Sequence, residues 1–221
     1  MTEKPVVTVI MPTYHQPQYL PLAIKSIMAQ TYPKVQLIIV IVNGDTQTWD
    51  ALTESRYNVG IVTSDKADHI HQINLGLKEA KGEFVTLFAS DDFMLPNKIN
   101  REMFVATNKK AVLVYSRFFI ADQYLNIQLV PPIPTFSYER LTQRCFVTDN
   151  SLVAKTMFDE FGAFDESLGS LAVYDKWLHI AEKYEERIML NPVPTFIYRT
   201  HPDQKHTKRI ADPKQIDLYT K

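Results

Sequence analysis

The chain has 221 residues, a net charge of -1, 45% hydrophobic and 22% charged residues, which is the profile of one globular domain and excludes a disordered chain. Lys and Arg are interspersed with acids, so no basic stripe points to nucleic acid, and the single cysteine, Cys145, excludes a disulfide framework and fits a reducing, cytoplasmic compartment. The N-terminus lacks a signal-peptide core, and the longest apolar run, at 35–42, is far shorter than the ~20 residues that span a bilayer.

Val-Val-Thr-Val-Ile-Met at 6–11 is β-rich and ends at Pro12, as a strand buried on both faces of a parallel sheet does. After Pro17, Leu20, Ala23, Ile24, Ile27 and Met28 repeat at helical spacing. Residues 37–42 read as a second buried strand, stopped by Asn43-Gly44-Asp45. Ile70, Ile73, Leu77 and Ala80 trace a helix for which Lys81-Gly82 serves as the expected C-cap. The next strand, 84–88, runs into Ser90-Asp91-Asp92. A helix after Pro96 carries Ile99, Met103 and Ala106, and a strand follows at 111–115. This alternation predicts an α/β fold, a mostly parallel sheet flanked by helices.

Beyond residue 116 the pattern changes, predicting a small mixed or antiparallel part within the same single domain. Two short strands flank 122–126, and Pro131-Pro132-Ile133-Pro134 forms a stiff connection. Thr156 to Asp159 reads as a capping box opening a helix that stops at Gly162. Tyr174, Trp177, Ala181 and Tyr184 define a last helix, 195–199 a last strand, and the polar tail begins at Asp203. The expected division is a first half at 1–116, a second half at 117–205 and a tail at 206–221.

Ligands of open α/β sheets bind beyond the carboxyl ends of the strands. Three such ends present Pro12-Thr13-Tyr14, Asn43-Gly44-Asp45 and Ser90-Asp91-Asp92. Adjacent carboxylates repel unless a cation offsets the cost. A hard divalent ion carrying a diphosphate fits, and a helix N-cap is the plainer alternative.

The ordered motifs sharpen this. Val-Thr-Val-Ile-Met-Pro-Thr-Tyr at 7–14, Gln-Thr-Tyr-Pro at 30–33, Leu-Ile-Ile-Val at 37–40 and Asn74-Leu75-Gly76 precede Ser90-Asp91-Asp92. Phe-Gly-Ala-Phe-Asp-Glu-Ser-Leu at 161–168, Tyr-Asp-Lys-Trp-Leu at 174–178 and Tyr-Arg-Thr-His-Pro at 198–202 follow. Over 6–205 the chain resembles the family 2 inverting glycosyltransferases with the GT-A fold. The resemblance implies a UDP-sugar donor, with glucose or galactose as the sugar, an Mn²⁺ or Mg²⁺ cofactor, and an acceptor hydroxyl on a glycan, lipid or protein. It assigns nucleotide contacts to Pro12, Thr13, Tyr14, Asn43 or Asp45, Asn74, Ser90, Asp91 and Arg199. It assigns the metal to Asp91 first, then Asp92, with His201 as a late partner.

Two positions depart from the family pattern. Ala89 stands where the first carboxylate of Asp-x-Asp is usual, and Ala172-Val173 stand where Glu-Asp usually supplies the base. Inverting transfer needs a carboxylate to accept the hydroxyl proton. Asp175 is the nearest substitute in sequence, with Glu166 and Asp165 behind it, and Asp175 reads equally as an acid at a helix N-terminus. A GT-A domain that binds or slowly hydrolyses nucleotide sugars is therefore the alternative. A nucleotidyltransferase is disfavoured, because Pro12-Thr13-Tyr14-His15 is not a Gly-rich phosphate loop.

Overall fold

The computed structural model describes residues 3–55, 57 and 59–204, so the tail expected at 206–221 lies outside the described residues. The elements begin with β1 (Val7–Thr13), α1 (Leu20–Met28), β2 (Val35–Val42), α2 (Thr46–Ser55), β3 (Gly60–Ser64) and α3 (His69–Lys78). They continue with β4 (Phe84–Leu87), β5 (Phe93–Met94), α4 (Lys98–Lys109), β6 (Leu113–Ser116), β7 (Phe119–Ala121) and β8 (Ile127–Leu129). The last are α5 (Tyr138–Gln143), β9 (Leu152–Ala154), α6 (Thr156–Phe161), α7 (Ala172–Tyr184), β10 (Ile188–Asn191) and β11 (Phe196–Arg199).

Among the described residues the larger sheet has seven strands in the order β10-β6-β9-β4-β1-β2-β3. Only β9 runs against the others, wedged antiparallel between β4 and β6. Every residue of β1 is buried, as its unbroken apolar run requires of a strand covered on both faces. One face packs Ile70, Ile73 and Leu77 of α3 with Trp177 and Ile180 of α7. The other packs Leu20, Ala23, Ile24 and Ile27 of α1 with Ile99 and Met103 of α4. The chain winds outward from β1 through β2 to β3 and returns to β4 on the other side of β1. The β1–β4 seam is therefore the topological switch point, where a crevice opens beyond the strand ends. A smaller mixed sheet, β5-β11-β7-β8, stands beside that crevice. No helix among the described residues is long and apolar enough to cross a membrane.

Several local expectations change. Asp45 does not merely end β2: its carboxylate accepts from Thr48 N at 3.2 Å and Thr48 Oγ1 at 2.6 Å, opening α2. Thr156 is the first residue of α6 and not its cap, because Lys155 occupies that position without a side-chain bond. Gly162, at φ 73°, does end α6 as expected. At the other end of the described chain, Gln204 is buried and hydrogen-bonded to Arg199 and His201, so the polar segment from Asp203 is held at least this far.

Gly82 is not the C-cap of α3, since the helix stops at Lys78 with Glu79 as its cap. Its role is close approach: a Cβ there would lie 2.6 Å from Thr8 N and 2.8 Å from Phe84 O. Backbone cannot yield as a side-chain tip can, so Gly82→Ala is expected to cost about 1–3 kcal/mol. Urea unfolding checks this, and an unchanged midpoint would contradict it.

Candidate active site

A cavity of about 890 Å³ opens beyond the ends of β1 and β4, between them and the Pro-rich connection after β8. Pro12, Ala89 and Asp92 form its sheet side, and Phe118, Tyr198 and the 145–150 loop form further walls. The chain can leave β4 here because Ala89-Ser90-Asp91-Asp92 carries no strand-forming run.

Asp91 stands at the centre of a group drawn from three parts of the chain. His201 Nε2, beyond the end of β11, is 3.0 Å from Asp91 Oδ2. Gln16 Nε2 donates to the same oxygen at 3.0 Å, while Ser90 Oγ donates to Gln16 Oε1 at 2.6 Å. Arg199 Nε donates to the Asp91 carbonyl at 2.6 Å, and its Nη1 donates to the Gln123 carbonyl at 2.8 Å. Tyr19 lies beneath both side chains, with the Arg199 guanidinium 4.8 Å and the His201 ring 4.4 Å from its own ring centre. Burial pushes the Arg199 guanidinium below its ordinary range against the opposing pull of Tyr19, Asp91 and Asp92. Gln16 and Tyr19 carried no motif signal; only the fold brings them here.

Asp92 has a different task from Asp91. Its Oδ1 accepts the Arg199 backbone N–H at 3.0 Å, tying β11 to the turn after β4. Burial, reinforced by the Asp91 carboxylate, pushes Asp92 well above the usual carboxylate range. The acid–histidine contact belongs to Asp91 and His201, while Asp92, the second expected ligand, lines the cavity with one carboxylate oxygen held by Arg199 N.

The remaining expected residues divide. Pro12 lines the cavity, Thr13 is buried with an unpartnered Oγ1, and the half-buried Tyr14 ring leans on His15 at 3.9 Å. Asn43 is exposed. Asp45 accepts His15 N at 2.8 Å, bracing the loop after β1. Burial would raise the Asp45 carboxyl, but the bonds from His15 and Thr48 outweigh it and hold it low. Asn74 is committed to structure: it donates to Phe164 O at 2.9 Å and accepts Phe164 N at 3.0 Å, clasping the segment before α7.

The expected base does not reach the cavity. Asp175 does not line it, and its carboxylate pairs with His179 one turn along α7 at 3.4 Å. Helical phase is the reason, because Ala172, Val173, Lys176 and Trp177 take the inward face. Asp165 caps the following turn by accepting Ser167 N at 2.9 Å. Glu166 is raised by burial, but bonds from His71, Asn74 and Lys66 prevail and leave it at about 2, too weak a base for an alcohol.

A divalent ion fits the Asp91–His201 pair. Two adjacent ligands of an octahedral ion at ~2.1 Å lie roughly 3.0 Å apart, close to the separation found. His201 is buried, with Nε2 turned to Asp91 and Nδ1 without a hydrogen-bond partner among the described residues. No group of three or more His, Cys, Asp or Glu able to hold a metal occurs among the described residues. Two protein ligands suit an ion that shares its shell with phosphate and water.

Comparison with known proteins identifies the fold and the family. An uncharacterised glycosyltransferase of Rickettsia typhi is 28% identical over 194 residues, covering 80% of this chain and 58% of that protein. The UDP-Glc:alpha-D-GlcNAc-diphosphoundecaprenol beta-1,3-glucosyltransferase WfaP of Escherichia coli is 22% identical over 200 residues, covering 89% and 78%. The chain thus spans little more than half the length of the Rickettsia relative. Among solved structures, TarS 1-349 of S. aureus in complex with UDP superposes with TM-score 0.72 at 19% identity, over 89% of this chain and 61% of that one. The mannosyltransferase PcManGT of Pyrobaculum calidifontis, in complex with GDP-Man and Mn²⁺, gives 0.69 at 18%, over 95% and 61%. These likenesses establish the GT-A fold. The model of Glycosyl transferase family 2 matches residues 8–162, from β1 to the glycine that ends α6, and the chain belongs to that family.

Proposed function

We propose that the chain binds a UDP-sugar, with glucose or galactose as the sugar, through a divalent ion and transfers the sugar with inversion to an acceptor hydroxyl. The observation that carries this reading is the convergence of Asp91 and His201 at the β1–β4 switch point, 3.0 Å apart. Asp91 and His201 would hold Mn²⁺ or Mg²⁺, which supplies positive charge to the donor diphosphate. Arg199 has a buried, unpartnered Nη2 with which to meet phosphate oxygen, and its rigid stacking on Tyr19 limits the ordering cost. Pro12 and Thr13 provide the strand end on which the nucleotide lies, with the Tyr14 ring at its margin. The donor named for the E. coli relative is UDP-Glc, and the mannosyltransferase neighbour holds its donor with Mn²⁺; both support the reading.

Calorimetric titration with UDP-glucose and UDP-galactose, with and without Mn²⁺ or Mg²⁺, is the direct test. Ion-dependent binding is expected, weakened about 10–100-fold in His201→Ala. If neither donor binds with either ion, the reading fails. Ala172-Val173 at the start of α7 favour a second reading, a domain that binds donor without efficient transfer. Donor binding with no release of UDP to any acceptor would select it.

A further inference from the structure

The geometry points to Asp149 as the group that takes the proton from the attacking hydroxyl, in place of the carboxylate lost at Ala172-Val173. This inference rests on the donor-binding reading above. Two carboxylates line the cavity among the described residues, Asp92 and Asp149, and the first has an oxygen committed to Arg199 N. Asp149 is exposed and lines the cavity. Its charge acts on Asp92 and Tyr198, which line the same cavity.

Its position is built. Thr148 O accepts Ser151 N at 3.1 Å and Ser151 Oγ at 2.6 Å, closing a turn with Asp149 inside it. The next carbonyl, Asn150 O, is held by Thr86 Oγ1 at 2.9 Å and by the buried Lys98 Nζ at 2.8 Å. The turn is thereby fastened to β4, the strand that delivers Asp91, and to α4. A base must keep its distance from the donor, and this tether fixes that distance.

His69 also lines the cavity; of the other titratable or charged groups there, Tyr198, Cys145, Arg140 and Arg144 are less suited. Burial and the acidic pair push Tyr198 up to about 12, and burial with Asp149 nearby pushes the Cys145 thiol to about 12. Both therefore stay protonated near neutrality, and the two arginines have no proton-accepting form in that range. The surrounding walls bring Asp149 itself up to about 6, basic enough to share a proton with a hydroxyl yet ionised at neutral pH. In the step, the acceptor oxygen forms its bond to the anomeric carbon as the bond from that carbon to the diphosphate oxygen breaks. The electron pair leaves with the diphosphate, and the hydroxyl proton passes to an Asp149 carboxylate oxygen.

The test compares wild type with Asp149→Asn, Asp149→Glu and Asp175→Asn, using UDP-glucose and UDP-galactose with Mn²⁺. Donor affinity is measured by calorimetry, and UDP release is measured from pH 5 to 9 with water and a panel of alkyl glycosides as acceptors. In Asp149→Asn, release should fall about 100-fold or more while the donor dissociation constant stays within about threefold. The wild-type acid limb, with release rising through about pH 6, should disappear in that variant, and Asp149→Glu should recover part of the rate. Unaltered release in a folded Asp149→Asn, or loss in Asp175→Asn alone, overturns the inference. Donor binding without release by wild type at any pH overturns it too and leaves the donor-binding reading standing. Failure of wild type to bind donor removes that reading itself.

Discussion

Asp91→Ala is expected to reduce ion-dependent donor affinity at least about 100-fold, measured by titrating UDP-glucose with Mn²⁺ present. The loss should exceed that of His201→Ala, because the carboxylate supplies negative charge as well as a ligand. It also organises the neighbourhood: Oδ2 receives Gln16 Nε2 at 3.0 Å and faces His201 Nε2 at the same distance. Without the ion, affinities of wild type and variant should converge, since what remains is contact with the nucleotide and sugar. An Asp91→Ala protein that keeps its Mn²⁺-dependent affinity would remove Asp91 from the ion site. Asp92→Asn is expected to keep much of that dependence, because the amide oxygen still accepts Arg199 N.

The second large effect concerns folding. Lys98 and Glu102 form a fully buried pair, one turn apart on α4, with Nζ 2.6 Å from both carboxylate oxygens. Ser116 Oγ donates to the same glutamate at 2.6 Å, Thr195 Oγ1 lies 3.3 Å away, and Lys98 donates to Asn150 O at 2.8 Å. Burial lowers the lysine below its usual range despite the attraction of Glu102. Lys98→Met strands the carboxylate in the core and should cost about 3–5 kcal/mol. In a domain of this size that corresponds to a fall in Tm of roughly 6–20 °C. The double variant Lys98→Met/Glu102→Leu should recover most of the loss, since no charge is left unpaired. Thermal unfolding of the single and double variants decides this. A single variant as stable as wild type would show that the pair is not needed to balance buried charge.

The outline of the fold was legible because its causes are local. Unbroken apolar runs require strands covered on both faces, and the apolar repeats of α1, α3, α4 and α7 each required one buried side. Asp91 was legible because two carboxylates directly follow a buried strand, and His201 because Tyr-Arg-Thr-His-Pro matched a known order. The short elements were not. β9 has three residues and runs against its neighbours. Its strand character comes from the hydrogen bonds of β4 and β6, and nothing in Leu152-Val153-Ala154 distinguishes it from a loop.

Sequence alone determined the α/β alternation and the acidic strand end at Asp91. Local chemistry suffices for these, since each depends on a residue and its near neighbours. The departure at Ala172-Val173 shows only against the family pattern that the chain resembles. Tertiary structure decided the division of labour. Asp91 meets a histidine 110 positions away, while one oxygen of adjacent Asp92 is held by the Arg199 backbone. Helical phase turned Asp175 towards His179, and chain closure carried Asp149 into the cavity where Asp175 was expected. A carboxylate's availability depends on which partners the folded chain brings to it, and for Asp91 and Asp92 those partners lie too far along the chain for local spacing to reveal.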